Sequence, residues 1–278
     1  MAASIAREVQ LLSMLALAAG LIAVFPDAVL CGDSGSIKLG EYGYNEQWMA
    51  GHATWYGEPN GEGSSGGACG YTKLTGTPYG PRIAAGNDAI FQGGKGCGQC
   101  YEVKCSYAEC RQEATRIVIT DQCPGGEYCS KAEPAFDLSG AAISAMALPD
   151  KDGALRNIGL YDILYKRVPC EFQGQNIAFQ VDQGSTGFWL SFVVKFLGGP
   201  GDIDSVEIRH SGSSSFQPAK HNWGASWMLI NTSGQAFKGP YDIRVVSKLN
   251  GHAVTAEKVI PEFFEPGKLY ESNVQLKY

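Results

Sequence analysis

CGQCYEVKCSYAEC, residues 97–110, holds four of the chain's nine cysteines and poses the first question: metal site, redox pair or disulfides. Cys97-Gly98-Gln99-Cys100 has the spacing of half a zinc site or of a redox motif. A zinc ribbon needs a second C-x-x-C, which the sequence lacks, and a thioredoxin-like pair belongs in a cytosolic βαβ setting. Working outward, Cys69, Cys123, Cys129 and Cys170 complete a set of eight, and no cysteine follows Cys170. The chain therefore divides into a stapled half and an unstapled half. Disulfides are the default in an oxidising compartment, although eight cysteines allow 105 connectivities and spacing does not choose among them.

The N-terminus supplies that compartment. Arg7 precedes an uncharged stretch, Leu11 to Phe25, which Pro26 and Asp27 close. A membrane-spanning helix needs about 18 or more apolar residues, so this is the core of a secretory signal over residues 1–30. Residues 31–49 then form an N-terminal extension of an exported chain, with Cys31 at the edge of the signal. No later stretch is long and apolar enough to span a bilayer.

Glycine fills 36 of 278 positions, nearly double the roughly 7% of average usage. There is no Gly-X-Y period, 44% of residues are apolar and only 18% are charged. That balance excludes collagen and gross disorder and suits a loop-rich all-β protein better than a helical bundle. The net charge of −6 argues against nucleic acid as a partner, because phosphate binding needs an excess of Lys and Arg.

In the stapled half, His52–Gly57, Cys100–Tyr107, Ala114–Asp121 and Leu160–Val168 are short apolar segments. Ser139–Leu148 is the one helix candidate, with Ser139 as N-cap. The unstapled half reads as strand after strand: Asn176–Val181, Phe188–Leu197, Asp202–Arg209, Trp227–Ile230, Tyr241–Ser247 and Ala253–Ile260. Tyr241, Ile243 and Val245 alternate with Asp242 and Arg244, the period of a half-buried strand. Turn signals such as Gly239-Pro240 and Asn250-Gly251 separate these runs, and the count fits a β-sandwich.

Three glycine motifs are discounted. Gly61-Glu-Gly63-Ser-Ser-Gly66 matches a dinucleotide fingerprint, and Gly63-Ser-Ser65-Gly-Gly67 a nucleophile elbow, but neither has a strand leading in and a helix leading out. Gly32-Asp-Ser34-Gly-Ser36 resembles a serine-protease loop but lies beside the signal. The four histidines form no cluster, so neither a metal nor a cofactor is expected.

Thr54-Trp55-Tyr56-Gly57, Gly66-Gly-Ala-Cys-Gly-Tyr71, the Cys97/Cys100 spacing, Ile119-Thr-Asp121 and Phe136-Asp137-Leu138-Ser139-Gly140 occur in this order. Val193-Val-Lys-Phe196, Gly201-Asp-Ile203, Trp223-Gly-Ala-Ser-Trp227 and Gly239-Pro-Tyr-Asp-Ile-Arg244 follow. Together they resemble the expansins, and specifically the β-expansin branch, over residues 50 to 278. The resemblance implies a six-stranded double-psi β-barrel, like that of family 45 endoglucanases, over 50–170. An immunoglobulin-like carbohydrate-binding β-sandwich would occupy 171–278. It implies the pairings Cys69 with Cys97, Cys100 with Cys170 and Cys105 with Cys110, after which Cys123 and Cys129 remain as a fourth local pair.

A polysaccharide ligand also makes chemical sense. Sugar rings present flat C–H faces that pack on aromatic rings, and Trp and Tyr add a polar handle. By resemblance, Trp55 and Tyr56 line the barrel cleft, and Trp189 and Trp223 stand on the sandwich surface in the same groove. Read from its own surroundings, Phe188-Trp189-Leu190-Ser191-Phe192, Trp189 is as well suited to a core. Asp137 matches the endoglucanases' proton donor, with Asp121, Tyr56 and Thr54 beside it. A glycosidase needs two carboxyls, whereas expansins lack the catalytic base and act on noncovalent contacts between cellulose and matrix polysaccharides.

The implied function is non-hydrolytic loosening of the plant cell wall by a secreted, monomeric protein, with cellulose and xylan-type glycans as partners. The rival readings are a weak family 45-like hydrolase and an inert carbohydrate-binding protein. The sequence departs from the family where a histidine usually precedes Phe136-Asp137, since Ala135 stands there, and Ser64 or Ser65 replaces an acidic residue before Cys69. Asn231-Thr232-Ser233 is the only N-glycosylation sequon.

Overall fold

The structure, a computed structural model, describes residues 46–277 except 62 and 64. The expected signal, Cys31 and most of the expected 31–49 extension lie outside the described residues.

The stapled half contains β1 (Met49–Tyr56), β2 (Ile83–Gly86), α1 (Asp88–Phe91), β3 (Cys100–Cys105), β4 (Thr115–Gln122), α2 (Gly126–Cys129), β5 (Ala135–Ser139), α3 (Gly140–Met146), α4 (Asp152–Ile158) and β6 (Tyr161–Val168). Its strands close into a barrel in the order β1-β5-β2-β4-β3-β6. The β1–β5 and β2–β4 pairs are parallel and the others antiparallel. Closure leaves no strand edge open to another chain. Alternation shows why these residues suit a barrel: along β6, Tyr161, Ile163 and Tyr165 turn inward while Asp162 and Leu164 face solvent. Ala53, Val103, Ile117, Ile119, Phe136 and Leu138 meet them in the core, and Ile143 and Met146 of α3 cover it. The Ser139 hydroxyl accepts from Ala142 N at 3.2 Å as the N-cap of α3 and donates to Pro81 O at 2.6 Å.

The second half supplies β7 (Ala178–Val181), β8 (Trp189–Lys195), β9 (Ser205–Arg209), β10 (Gln217–Pro218), β11 (Lys220–Trp223), β12 (Ser226–Ile230), β13 (Tyr241–Val246), β14 (Ala253–Ile260) and β15 (Leu269–Glu271). They form two sheets, β10-β9-β13-β14 and β11-β12-β8-β7-β15. Phe179, Phe192 and Val194 from one sheet pack on Val206, Ile208, Ile243 and Val245 from the other. In β13 the alternation read from the sequence is the burial pattern, with Tyr241, Ile243 and Val245 inside. The fold is all-β, a double-psi barrel followed by a sandwich.

Four disulfides join Cys69 to Cys97, Cys100 to Cys170, Cys105 to Cys110 and Cys123 to Cys129. Barrel and sandwich also share a third apolar core, in which Tyr71, Tyr79, Phe91 and Val118 meet Ala178, Val193, Phe196 and Ala225. Hydrogen bonds stitch this seam: Ala225 N donates to Cys69 O at 3.1 Å and Phe196 N to the Tyr79 hydroxyl at 3.0 Å. Cys170 forms a β-bridge with Gly199. No helix among the described residues is long and apolar enough to cross a membrane.

Candidate polysaccharide groove

Register brings the two candidate carboxylates into one row. Ala85 of β2 stands opposite Asp121 of β4 on one side and opposite Asp137 of β5 on the other, and Asp137 in turn faces Thr54 of β1. Residues directly opposite across a sheet point to the same face. Strand spacing of about 4.8 Å puts the Asp121 and Asp137 backbones about 10 Å apart, with only a methyl group between them.

Thr54 Oγ1 donates to Asp137 Oδ1 at 2.7 Å. Burial pushes the Asp137 carboxyl above the ordinary aspartate range; the Thr54 hydrogen bond opposes this, and the negative charge of Asp121 adds to it. Asp137 thus keeps its proton to higher pH than a solvated aspartate and can donate a hydrogen bond into the groove. Asp121 is engaged differently. Its Oδ1 accepts from the amides of Ala68 at 2.6 Å and Gln122 at 2.7 Å. The Gly66–Ala68 loop comes down onto it so closely that a Cβ on Gly67 would lie 2.7 Å from Asp121 Cγ. Gly67 also has φ +93°, a conformation that favours glycine.

Ala135 is buried, and its amide donates to Asn87 Oδ1 at 3.2 Å. Asn87 is fully buried and holds the approach to β5 through the Lys131 and Glu133 carbonyls. Nothing in the local pattern around Asn87 marks it for this task. The register partner of Ala135 on β1 is His52, whose Nδ1 lies 3.1 Å from Asp162 Oδ1. The position expected to carry a histidine therefore has one on the neighbouring strand instead.

On the sandwich side, Trp223 is 48% exposed and reaches back to the barrel. A Cβ on Gly70 would meet its ring at 2.8 Å and Val193 Cγ2 at 3.3 Å. The turn after Trp223 is wedged into the barrel loops, since a Cβ on Gly224 would fall 2.2 Å from Ala68 O. Register extends this face along the sheet. Trp223 is opposite Ser226, Ser226 opposite Val193, Met228 opposite Ser191 and Ile230 opposite Trp189. Trp223 and Trp189 thus lie on one face of the sheet, and between them the buried Ser191 and Ser226 hydroxyls are 3.1 Å apart. Trp189 is half-buried at the far end, outside the core between the sheets.

Trp55 and Tyr56 are half-buried at the end of β1. From Tyr56, which shares the face of Thr54, register runs through Thr54 and Asp137 and across Ala85 to Asp121, and Asp121 meets Ala68 two residues before Gly70, against which Trp223 packs. Asn231 lies beyond the Trp189 end in a closed turn. It is 8% exposed, its Nδ2 donates to Gln235 O, and its Oδ1 accepts from Ser233 N at 2.9 Å and Oγ at 2.8 Å.

Comparison with known proteins follows the same division of the chain. The expansin C-terminal domain model matches residues 177–261, and a double-psi β-barrel model, described as lytic transglycolase, matches residues 83–165. Expansin-B3 of Arabidopsis thaliana is 42% identical over 248 residues, covering 88% of this chain and 92% of the relative. Expansin-B11 of Oryza sativa subsp. japonica is 44% identical, covering 82% of this chain and 77% of the relative. Among solved structures, the ligand-free Clavibacter michiganensis expansin has the same fold, with a TM-score of 0.62 at 24% identity over 82% of this chain and 98% of that one. A point mutant of that expansin, solved with cellohexaose, gives a TM-score of 0.62 at 23% identity, with the same coverage. By its similarity to its plant relatives over most of its length, the chain belongs to the expansin family, in the expansin-B branch.

Proposed function

We propose that the groove from Tyr56 to Trp189 binds an extended cell-wall glucan and that the protein loosens plant walls by competing for noncovalent contacts between chains, without cutting them. The observation that carries this reading is the row Asp121–Ala85–Asp137–Thr54, in which Asp137 is held by Thr54 while Asp121 Oδ1 is engaged by the loop above it. Hydrolysis requires the second carboxyl to activate a water or attack the sugar. Asp121 Oδ1 instead fastens a loop through two backbone amides.

In its protonated form, which its raised pKa favours, Asp137 donates to a glycan oxygen that would otherwise bond to the neighbouring chain, while Trp55, Trp223 and Trp189 pack on pyranose faces. The cellohexaose held by the Clavibacter expansin supports a β-glucan as ligand. Cellulose and xylan-type matrix glycans are the proposed partners, bound outside the cell by a monomer. Its halves, 50–170 and 171–278, work as one piece because of the shared third core.

Constant-load extension of heat-inactivated walls, run beside an assay of reducing ends, tests the proposal. Creep without sugar release is expected. Release that disappears in Asp137→Asn would establish hydrolysis instead, and binding with neither effect would mark an inert lectin-like protein.

A further inference from the structure

Trp55 is gripped from behind by Arg156 of α4. The indole Nε1–H donates to the Arg156 carbonyl at 3.2 Å, and the guanidinium carbon lies 5.6 Å from the indole ring centroid. The same guanidinium reaches Asp152 Oδ2 at 2.6 Å, the Gly140 carbonyl at 3.2 Å and the Ser144 hydroxyl. The Arg156 side chain is only 10% exposed, and its Nε has no hydrogen-bond partner. A buried donor left unpaired costs about 1–3 kcal/mol, a penalty that an apolar side chain of similar length would avoid. A planar, charged fork at this point serves a geometric purpose that a methionine does not.

The elements it joins give that purpose. Trp55 follows Thr54, and Gly140 opens α3 three residues after Asp137. Arg156 therefore ties the exits of β1 and β5, the two strands that carry the Thr54–Asp137 hydrogen bond. We infer that Arg156 is a positioning residue: it fixes the tilt of the half-buried Trp55 indole, whose strand partner is Leu138 rather than Asp137, at the exit of β1, so that the ring offers a pyranose one fixed face at the rim of the groove. The inference rests on the reading of the groove as a glucan site. It assigns Arg156 no contact with the glycan.

A double-mutant cycle on the full chain tests it, with cellohexaose binding measured by calorimetry. Arg156→Met should weaken binding about tenfold in the parent, and less than about twofold when Trp55 is already Ala, because contacts that act through one another are not additive. The indole N–H resonance of Trp55 should shift in Arg156→Met while the other four tryptophans keep theirs. Arg156→Lys retains the charge without the fork, should give an intermediate loss, and serves in the cycle if the Met variant does not fold. Equal losses in both backgrounds, or a Trp55 resonance that does not move, would overturn the inference. A Trp55→Ala variant that binds as tightly as the parent would refute the glucan reading at this end of the groove. In that outcome the resonance still decides whether Arg156 holds the ring.

Discussion

At the barrel end of the groove, a half-buried acid and a loop-bound carboxylate flank Ala85. At the sandwich end, Val193, Ser191, Ser226, Met228 and Ile230 lie between Trp223 and Trp189, and none of them ionises. On the proposed reading the first region exchanges hydrogen bonds with a glycan and responds to pH, whereas the second, with the Trp223 and Trp189 rings, does not titrate. Their supports differ as well. The barrel rests on four disulfides and on glycines that let loops approach Asp121, whereas the sandwich rests on two interleaved apolar sheets. On the proposed reading one end holds a glycan chain and the other disturbs what that chain is bonded to.

Removing the covalent support should have the largest effect. Cys100→Ser with Cys170→Ser opens a link spanning 70 residues and should cost about 4 kcal/mol of stability by chain entropy, read from guanidinium unfolding. A loss below about 1 kcal/mol would mean that the barrel does not depend on its staples. Next comes the seam between the regions. Gly70→Ala sets a Cβ 2.8 Å from the Trp223 ring at φ +80° and should cost about 2 kcal/mol in a thermal melt. Adding Trp223→Ala should relieve the clash part of that cost.

A smaller effect separates the two ends directly. Trp189→Ala should weaken cellulose retention about tenfold, near 1.4 kcal/mol, with the pH profile of creep unchanged in shape. The smallest concerns stability against pH. The folded-state pKa of Asp137 is raised, so the neutral form favours the folded state. That contribution is fully present below the unfolded pKa and declines as pH rises through the folded one. Asp137→Asn should remove this slope, which urea titrations at several pH values would show.

Much of the sandwich is legible in the sequence because its strands alternate or run apolar between clear turns, as Tyr241–Val246 does. In the barrel, β1, β3, β4 and β6 can be read, and so can α3 through its Ser139 cap. The strands that build the site are harder. β2 is Ile-Ala-Ala-Gly, buried throughout, and β5 is Ala-Phe-Asp-Leu-Ser; neither is long enough to show a period. The pairing of Asp121 with Asp137 across Ala85 follows from where β2 lies, which no spacing along the chain reveals. α4 has no side-chain cap and carries Gly153 near its start, so nothing announces the helix or the Arg156 it brings beneath Trp55.

Creep of isolated walls under constant load, followed across pH for the parent and Asp137→Asn with reducing ends assayed throughout, bears most directly on how the groove works. The parent should creep less as pH rises through the raised Asp137 pKa, releasing no reducing ends at any pH. Asp137→Asn, which keeps a neutral donor but cannot ionise, should creep at a rate that no longer depends on pH. Reducing ends that rise in proportion to creep in the parent and vanish in Asp137→Asn would contradict a noncovalent mechanism.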